Sequence, residues 1–113
     1  MSQLLIVGLG PGARDRLPLE NLDALKKASA VLLRTAEHPT AAILSDEGIP
    51  FDTCDDLYDN AETFDELYES IALRAAALPE GGAFAVPGHP LIGERSVARL
   101  RGLRECRGLA APS

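Results

Sequence analysis

The sequence predicts an α/β domain: an open, mostly parallel sheet of four or five strands with helices on both faces. Three observations carry that reading. Short continuous apolar runs at residues 4–7, 30–33 and 83–86 have the pattern of strands buried on both sides, as in a parallel sheet. Segments with apolar residues at helical spacing alternate with these runs. Loops rich in glycine and proline follow directly on the first and last of the runs.

Taken in order, Leu4, Leu5, Ile6 and Val7 form the first strand, ending at Gly8 and a glycine-rich loop. Pro18 suits the first turn of a helix. Leu19, Leu22, Leu25 and Ala28 recur at threes and place one apolar face inward, with Glu20, Asp23, Lys26 and Lys27 outside. Residues 30–33 make the second strand, ended by Arg34, and His38-Pro39 breaks the chain. Residues 40–47 predict a short helix stopped at Gly48. A weak strand at 50–54 and an acidic connector at 55–63 follow. Thr63 is a suitable N-cap, and Glu66 three residues on completes a capping box. Phe64, Leu67, Tyr68, Ile71, Ala75 and Leu78 then fit a helix throughout. After a turn at 79–82 comes the strand at 83–86. A last helix is expected from about residue 93 to 106, with Val97, Leu100 and Leu103 inward.

A chain of 113 residues with 46% apolar and 25% charged residues is one ordinary globular domain, residues 1–113. Its formal charge of −6 argues against nucleic acid or an anionic membrane as a general partner. No apolar run approaches the roughly 20 residues of a membrane span, and residues 1–7 lack the pattern of a signal peptide. Cys54 and Cys106 read as free thiols, which predicts a cytoplasmic location. Cys54 reads as a small buried residue rather than a nucleophile. Charge is unevenly placed: no Lys or Arg lies between Thr35 and Leu73, while residues 46–69 hold ten carboxylates. Asp55, Asp56 and Asp59 read as a solvated acidic stretch rather than a metal site, and Tyr58 and Tyr68 as packing residues. Arg34 is expected to pair with the acidic segment. Arg95, Arg99, Arg101, Arg104 and Arg107 crowd the last helix, either as complements to its C-terminal dipole or as a contact surface for another domain or subunit.

Chemistry is expected at the two loops. In an open parallel sheet, ligands bind outside the carboxyl ends of the strands. Gly8, Gly10 and Gly12 let main chain approach a ligand closely, with Pro11 between them. Pro87, Gly88, His89 and Pro90 do the same after the strand at 83–86, the prolines stiffening the turn. Gly8, Gly10 and Ala13 formally satisfy a dinucleotide fingerprint. That mechanism fails, because a helix must start directly after the second glycine to face the pyrophosphate, and Pro11 intervenes. A phosphate P-loop fails for want of Gly-Lys-Ser/Thr.

Taken together, Ile6-Val7-Gly8-Leu9-Gly10-Pro11-Gly12, the helix after it, Ala30-Val31-Leu32, and Val86-Pro87-Gly88-His89-Pro90 resemble the tetrapyrrole (corrin/porphyrin) methylase family. The likeness covers nearly the whole chain but only the N-terminal half of that two-domain fold. It looks closest to the methylase-like domain fused to MazG nucleotide pyrophosphohydrolases, which has a similar Arg34-Thr35-x-x-His38-Pro39 segment.

The resemblance implies an S-adenosylmethionine-dependent methyltransferase acting on a small-molecule substrate, with the cofactor in a cleft between two domains, and a homodimer. By position, Pro11, Pro87, Gly88, His89 and Ile92 match cofactor-binding residues, and Gly10 and Gly12 border the substrate cleft. Methyl transfer from a sulfonium requires alignment more than a protein nucleophile, so main chain and an apolar wall suffice. Two departures stand out. His89 occupies a position where the methylases carry Asp. The sequence also ends at Ala111-Pro112-Ser113, about where the family's second domain begins, so the resemblance implies that the C-terminal domain is missing and the fragment inactive. A non-catalytic ligand-sensing or dimerising module for a MazG-type partner is the alternative. A pyrophosphohydrolase in this chain itself is disfavoured, since Glu66-x-x-Glu69 has no later partner motif.

Overall fold

A computed structural model describes residues 3–9, 17–37, 39–86 and 94–109. In chain order these form β1 (Leu4–Gly8), α1 (Leu19–Lys27), β2 (Val31–Leu33), α2 (Thr40–Asp46), β3 (Asp52–Thr53), α3 (Asp55–Asn60), α4 (Phe64–Ala76), β4 (Ala83–Val86), α5 (Glu94–Leu103) and β5 (Cys106–Leu109). The five strands make one sheet in the order β3-β2-β4-β1-β5, and every pairing is parallel. The expected α/β class and parallel sheet are thus what the chain adopts.

Alternation along the strands sorts the core into two layers, because successive side chains point to opposite faces. Val7, Val31, Leu33, Ala83 and Ala85 pack with Leu22 and Leu25 of α1 and Ala41, Ile43 and Leu44 of α2. Leu4, Ile6, Leu32, Phe84 and Val86 pack with Leu67, Ile71, Ala72 and Ala75 of α4 and Val97 and Leu100 of α5. β4 lies in the middle of the sheet, and all four of its residues are buried. Two alanines on one face and Phe84 on the other let the α1/α2 layer approach closely while the α4/α5 layer fills with the large ring.

Local rules explain the helix ends. Thr63 Oγ1 accepts from Glu66 N–H at 3.1 Å, as expected of the N-cap. The returning Glu66 carboxylate reaches Glu62 N–H at 3.1 Å, one residue earlier than a standard capping box. Past the end of α2, Gly48 takes φ +72°, the left-handed conformation that stops a helix.

Several expectations are corrected. Residues 106–109 form β5, not the tail of the last helix, which ends at Leu103. The acidic stretch after β3 is helical as α3. Leu19 is 78% exposed and Phe64 72% exposed, so neither faces the core. Buried Asn21 takes the inward place expected of Leu19. Leu103, too, is exposed at 38%, and Tyr58 is exposed where packing was expected. The basic residues of the last helix are partly spent within the fold: Arg99 forms a two-pronged pair with Glu69 at 2.6 and 3.0 Å. Arg104 donates to the carbonyls of Ala76 and Leu78 at 3.3 and 2.6 Å. No described helix is long and apolar enough to cross a membrane.

Candidate functional site

The sheet order fixes where a ligand has room. From β1 the chain passes through α1, on the Leu33/Ala85 face, to β2 on one side. From β4 it passes through α5, on the Phe84 face, to β5 on the other side of β1. Adjacent parallel strands whose connections leave in opposite directions make a topological switch point, and a crevice opens outside their carboxyl ends. By that rule the carboxyl ends of β1 and β4 are a candidate site, as are those of β2 and β4, whose connections through α2 and α5 also leave on opposite faces.

Register sharpens the placement. Gly8 pairs with Val86, the last residues of their strands. Leu9 N–H donates to Val86 C=O at 2.9 Å, continuing the ladder one step. The segments carrying the two glycine/proline motifs therefore depart from neighbouring strands at the same rim. The individual candidates Gly10, Pro11, Gly12, Pro87, Gly88, His89 and Ile92 lie outside the described residues, as does His38.

The described residues at the rim, Gly8, Leu9 and Val86, are all buried, with one buried polar group beside them. That group is Asn21, 1% exposed, whose Nδ2 donates to Gly8 C=O at 2.8 Å. Sequence reasoning missed it. An asparagine at an inward helical position is the one signal that pointed there, since a buried amide demands partners.

Further along the same carboxyl edge, past β2 and β3, a cavity of about 390 Å³ is lined by Thr35, Glu37, Asp55, Tyr58 and Asp59. Asp55 is committed to the local fold: the Thr35 hydroxyl, then the Ala36 N–H at 2.9 Å, hold its carboxyl below the usual range. Asp56 pairs with Arg74 at 2.6 and 2.9 Å, and that guanidinium holds the carboxyl low. The acidic segment thus takes Arg74, not Arg34, as its described cation. Arg34 Nε is buried with no hydrogen-bond partner among the described residues. Cys54 is fully buried, and burial pushes its thiol up to about 11, which makes it a poor nucleophile. A roomier depression of about 500 Å³ lies between α3 and α4 rather than at the ends of β1 and β4. It borders Glu66 and Glu69, whose capping and ion-pair contacts give both members of the E-x-x-E motif structural work.

Comparison with known proteins agrees with this arrangement. The model of a family described as Tetrapyrrole (Corrin/Porphyrin) Methylases matches residues 3–111. The chain belongs to that family. A curated relative, described as uncharacterized protein YabN of Bacillus subtilis (strain 168), is 37% identical over 100 residues, covering 87% of this chain and 20% of its own length. Among solved structures, a putative diphthine synthase from Entamoeba histolytica superposes with a TM-score of 0.62 at 20% identity, over 100% of this chain and 42% of that one. Another diphthine synthase gives 0.60 at 19% identity, over 99% and 45%. At that identity the two structures attest the fold alone. The chain spans about a fifth of the curated relative's length and less than half of either solved structure.

Proposed function

We propose that this chain is the N-terminal half of an S-adenosylmethionine-dependent methyltransferase-like protein acting on a small molecule, with the donor held at the β1–β4 rim. The observation that carries the reading is the pairing of Gly8 with Val86 at a switch point, with a glycine/proline segment leaving each strand. The rim suits such a donor. Its described groups, the Gly8–Leu9 peptide, the Val86 carbonyl and the Asn21 carboxamide, are hydrogen-bonded to one another, and Leu9 and Val86 are buried, so they form a fixed base from which the two glycine/proline segments are proposed to reach the donor. S-adenosylmethionine brings a methyl group on a sulfonium, so the protein's task is to hold and aim it. Pro11, Pro87, Gly88, His89 and Ile92 are proposed to contact the donor, and Gly10 and Gly12 to border the acceptor. A second domain beyond residue 113 is proposed to complete the cleft, in a cytoplasmic homodimer.

The second reading is a non-catalytic ligand-sensing or dimerising module working with a MazG-type nucleotide pyrophosphohydrolase. His89, in place of the family's Asp, is the feature that favours it. Calorimetric titration of S-adenosylmethionine and S-adenosylhomocysteine into the complete protein carrying these residues separates the two. Binding that Gly88→Val abolishes, with the thermal midpoint preserved, is the expected result. No heat at millimolar ligand contradicts the first reading and leaves the module.

A further inference from the structure

The peptide joining Gly8 to Leu9 is the last one of β1 before the glycine segment, and both of its polar groups are held. A trans peptide points its C=O and its N–H in opposite directions. The Leu9 N–H faces β4 and donates to Val86 C=O at 2.9 Å. The Gly8 C=O therefore faces the β5 side, one residue beyond Val7–Leu109, the last described pair of that ladder. No described strand partner remains for it there. Asn21 Nδ2 fills the place at 2.8 Å, across 13 residues of chain. Because a carbonyl only accepts, the group facing it is the NH₂ of the carboxamide.

Asn21 also touches the chain at the far end of the segment. Its own N–H donates to Pro18 C=O at 3.0 Å, in the first turn of α1. One residue thus ties together residues 8 and 18. The pattern of α1 alone would place an apolar residue here. The position is 1% exposed and neighbours the buried Leu22 and Leu25, while Leu19 nearby is 78% exposed. A leucine at 21 would bury more apolar surface but leave the buried Gly8 carbonyl without its described partner, so the amide is there for that one main-chain group. The break in the apolar pattern of α1 thus coincides with the one main-chain carbonyl of β1 that leads into the glycine segment.

We propose that Asn21 is the positioning residue of the rim: its carboxamide pins the Gly8–Leu9 peptide and so fixes the direction in which the chain enters residues 10–16. The assignment rests on the proposed function, in which those residues meet the donor and acceptor. Asn21 itself touches neither.

The test combines amide hydrogen exchange with titration of S-adenosylhomocysteine into the complete protein. In Asn21→Leu, the Leu9 amide exchanges about tenfold faster or more, while Ile6 and Val7 stay within about twofold. Affinity for the probe falls about tenfold. Ile71→Val, in the opposite layer, lowers the thermal midpoint yet leaves Leu9 exchange and affinity within about twofold. That control separates pinning from general loss of stability. A Leu9 amide as protected in Asn21→Leu as in the unsubstituted protein overturns the assignment, as does unchanged affinity. If the unsubstituted protein binds no probe, the proposed function fails first and the assignment falls with it.

Discussion

Phe84 and Phe64 are two large aromatic residues that the fold treats in opposite ways, and replacing each by alanine measures the layering directly. Phe84 is fully buried in the central strand, within the cluster that includes Leu4, Ile6, Leu32, Ile71 and Ala75. Emptying such a site costs about 3–5 kcal/mol from lost transfer energy and the remaining cavity. A chain of 113 residues has a total stability of about 6–17 kcal/mol at ~0.05–0.15 kcal/mol per residue. Phe84→Ala therefore removes about a fifth of it or more, and lowers the thermal midpoint by about 15 °C. Phe64 is 72% exposed and stacks on Tyr68 with ring centroids 6.3 Å apart. Phe64→Ala costs under about 1 kcal/mol, since only that exposed pair is lost. Urea unfolding followed by circular dichroism reads both values, with the slope m unchanged between variants. Equal costs for the two substitutions, or a Phe84→Ala cost below about 1 kcal/mol, would refute the two-layer core.

Two further predictions follow from the ionisable groups. With its thiol pushed up to about 11, Cys54 is ionised in only about one molecule in a thousand at pH 8, so a thiol reagent leaves it unmodified in the folded protein and labels it on unfolding; rapid native labelling, located by peptide mass mapping, would contradict its burial. The carboxyls of Asp55, Asp56 and Glu69 are held below their ordinary range by Thr35, Arg74 and Arg99 respectively. A lowered folded-state pKa means the unfolded chain binds protons first, so the stability these groups add is present above their unfolded values near 4 and is lost as pH falls through the lower folded ones. The triple variant Asp55→Asn, Asp56→Asn, Glu69→Gln accordingly shows a flatter thermal midpoint between about pH 5 and 2.5; an unchanged acid slope would show that these pairs contribute nothing.

Which parts of the structure were legible in the sequence follows from physical cause. β1, β2 and β4 are buried on both faces and so read as unbroken apolar runs. β5 is an edge strand, and Cys106-Arg107-Gly108-Leu109 carries an arginine and a glycine that blur into the preceding basic helix. α3 buries no residue, so it leaves no apolar stripe to read. At Leu19 and Phe64 the apolar spacing began one turn too early: both sit at the exposed first position of their helices, where burial had not yet begun. The site divides in the same way. Its glycine/proline segments announce themselves because only those residues permit close main-chain approach and stiff turns. The common rim was an expectation until the register paired Gly8 with Val86. Asn21 was hidden because its partner is a main-chain carbonyl, which no side-chain motif encodes.

The most direct measurement is a ¹⁵N–¹H correlation spectrum of the complete protein, titrated with S-adenosylmethionine. Saturable shifts concentrated at Gly8, Leu9, Asn21 and Val86, where β1 and β4 end side by side, are the expected result. Shifts confined to the opposite end of the sheet, around Ala30, Gly82 and Glu105, or none at millimolar donor, would contradict it.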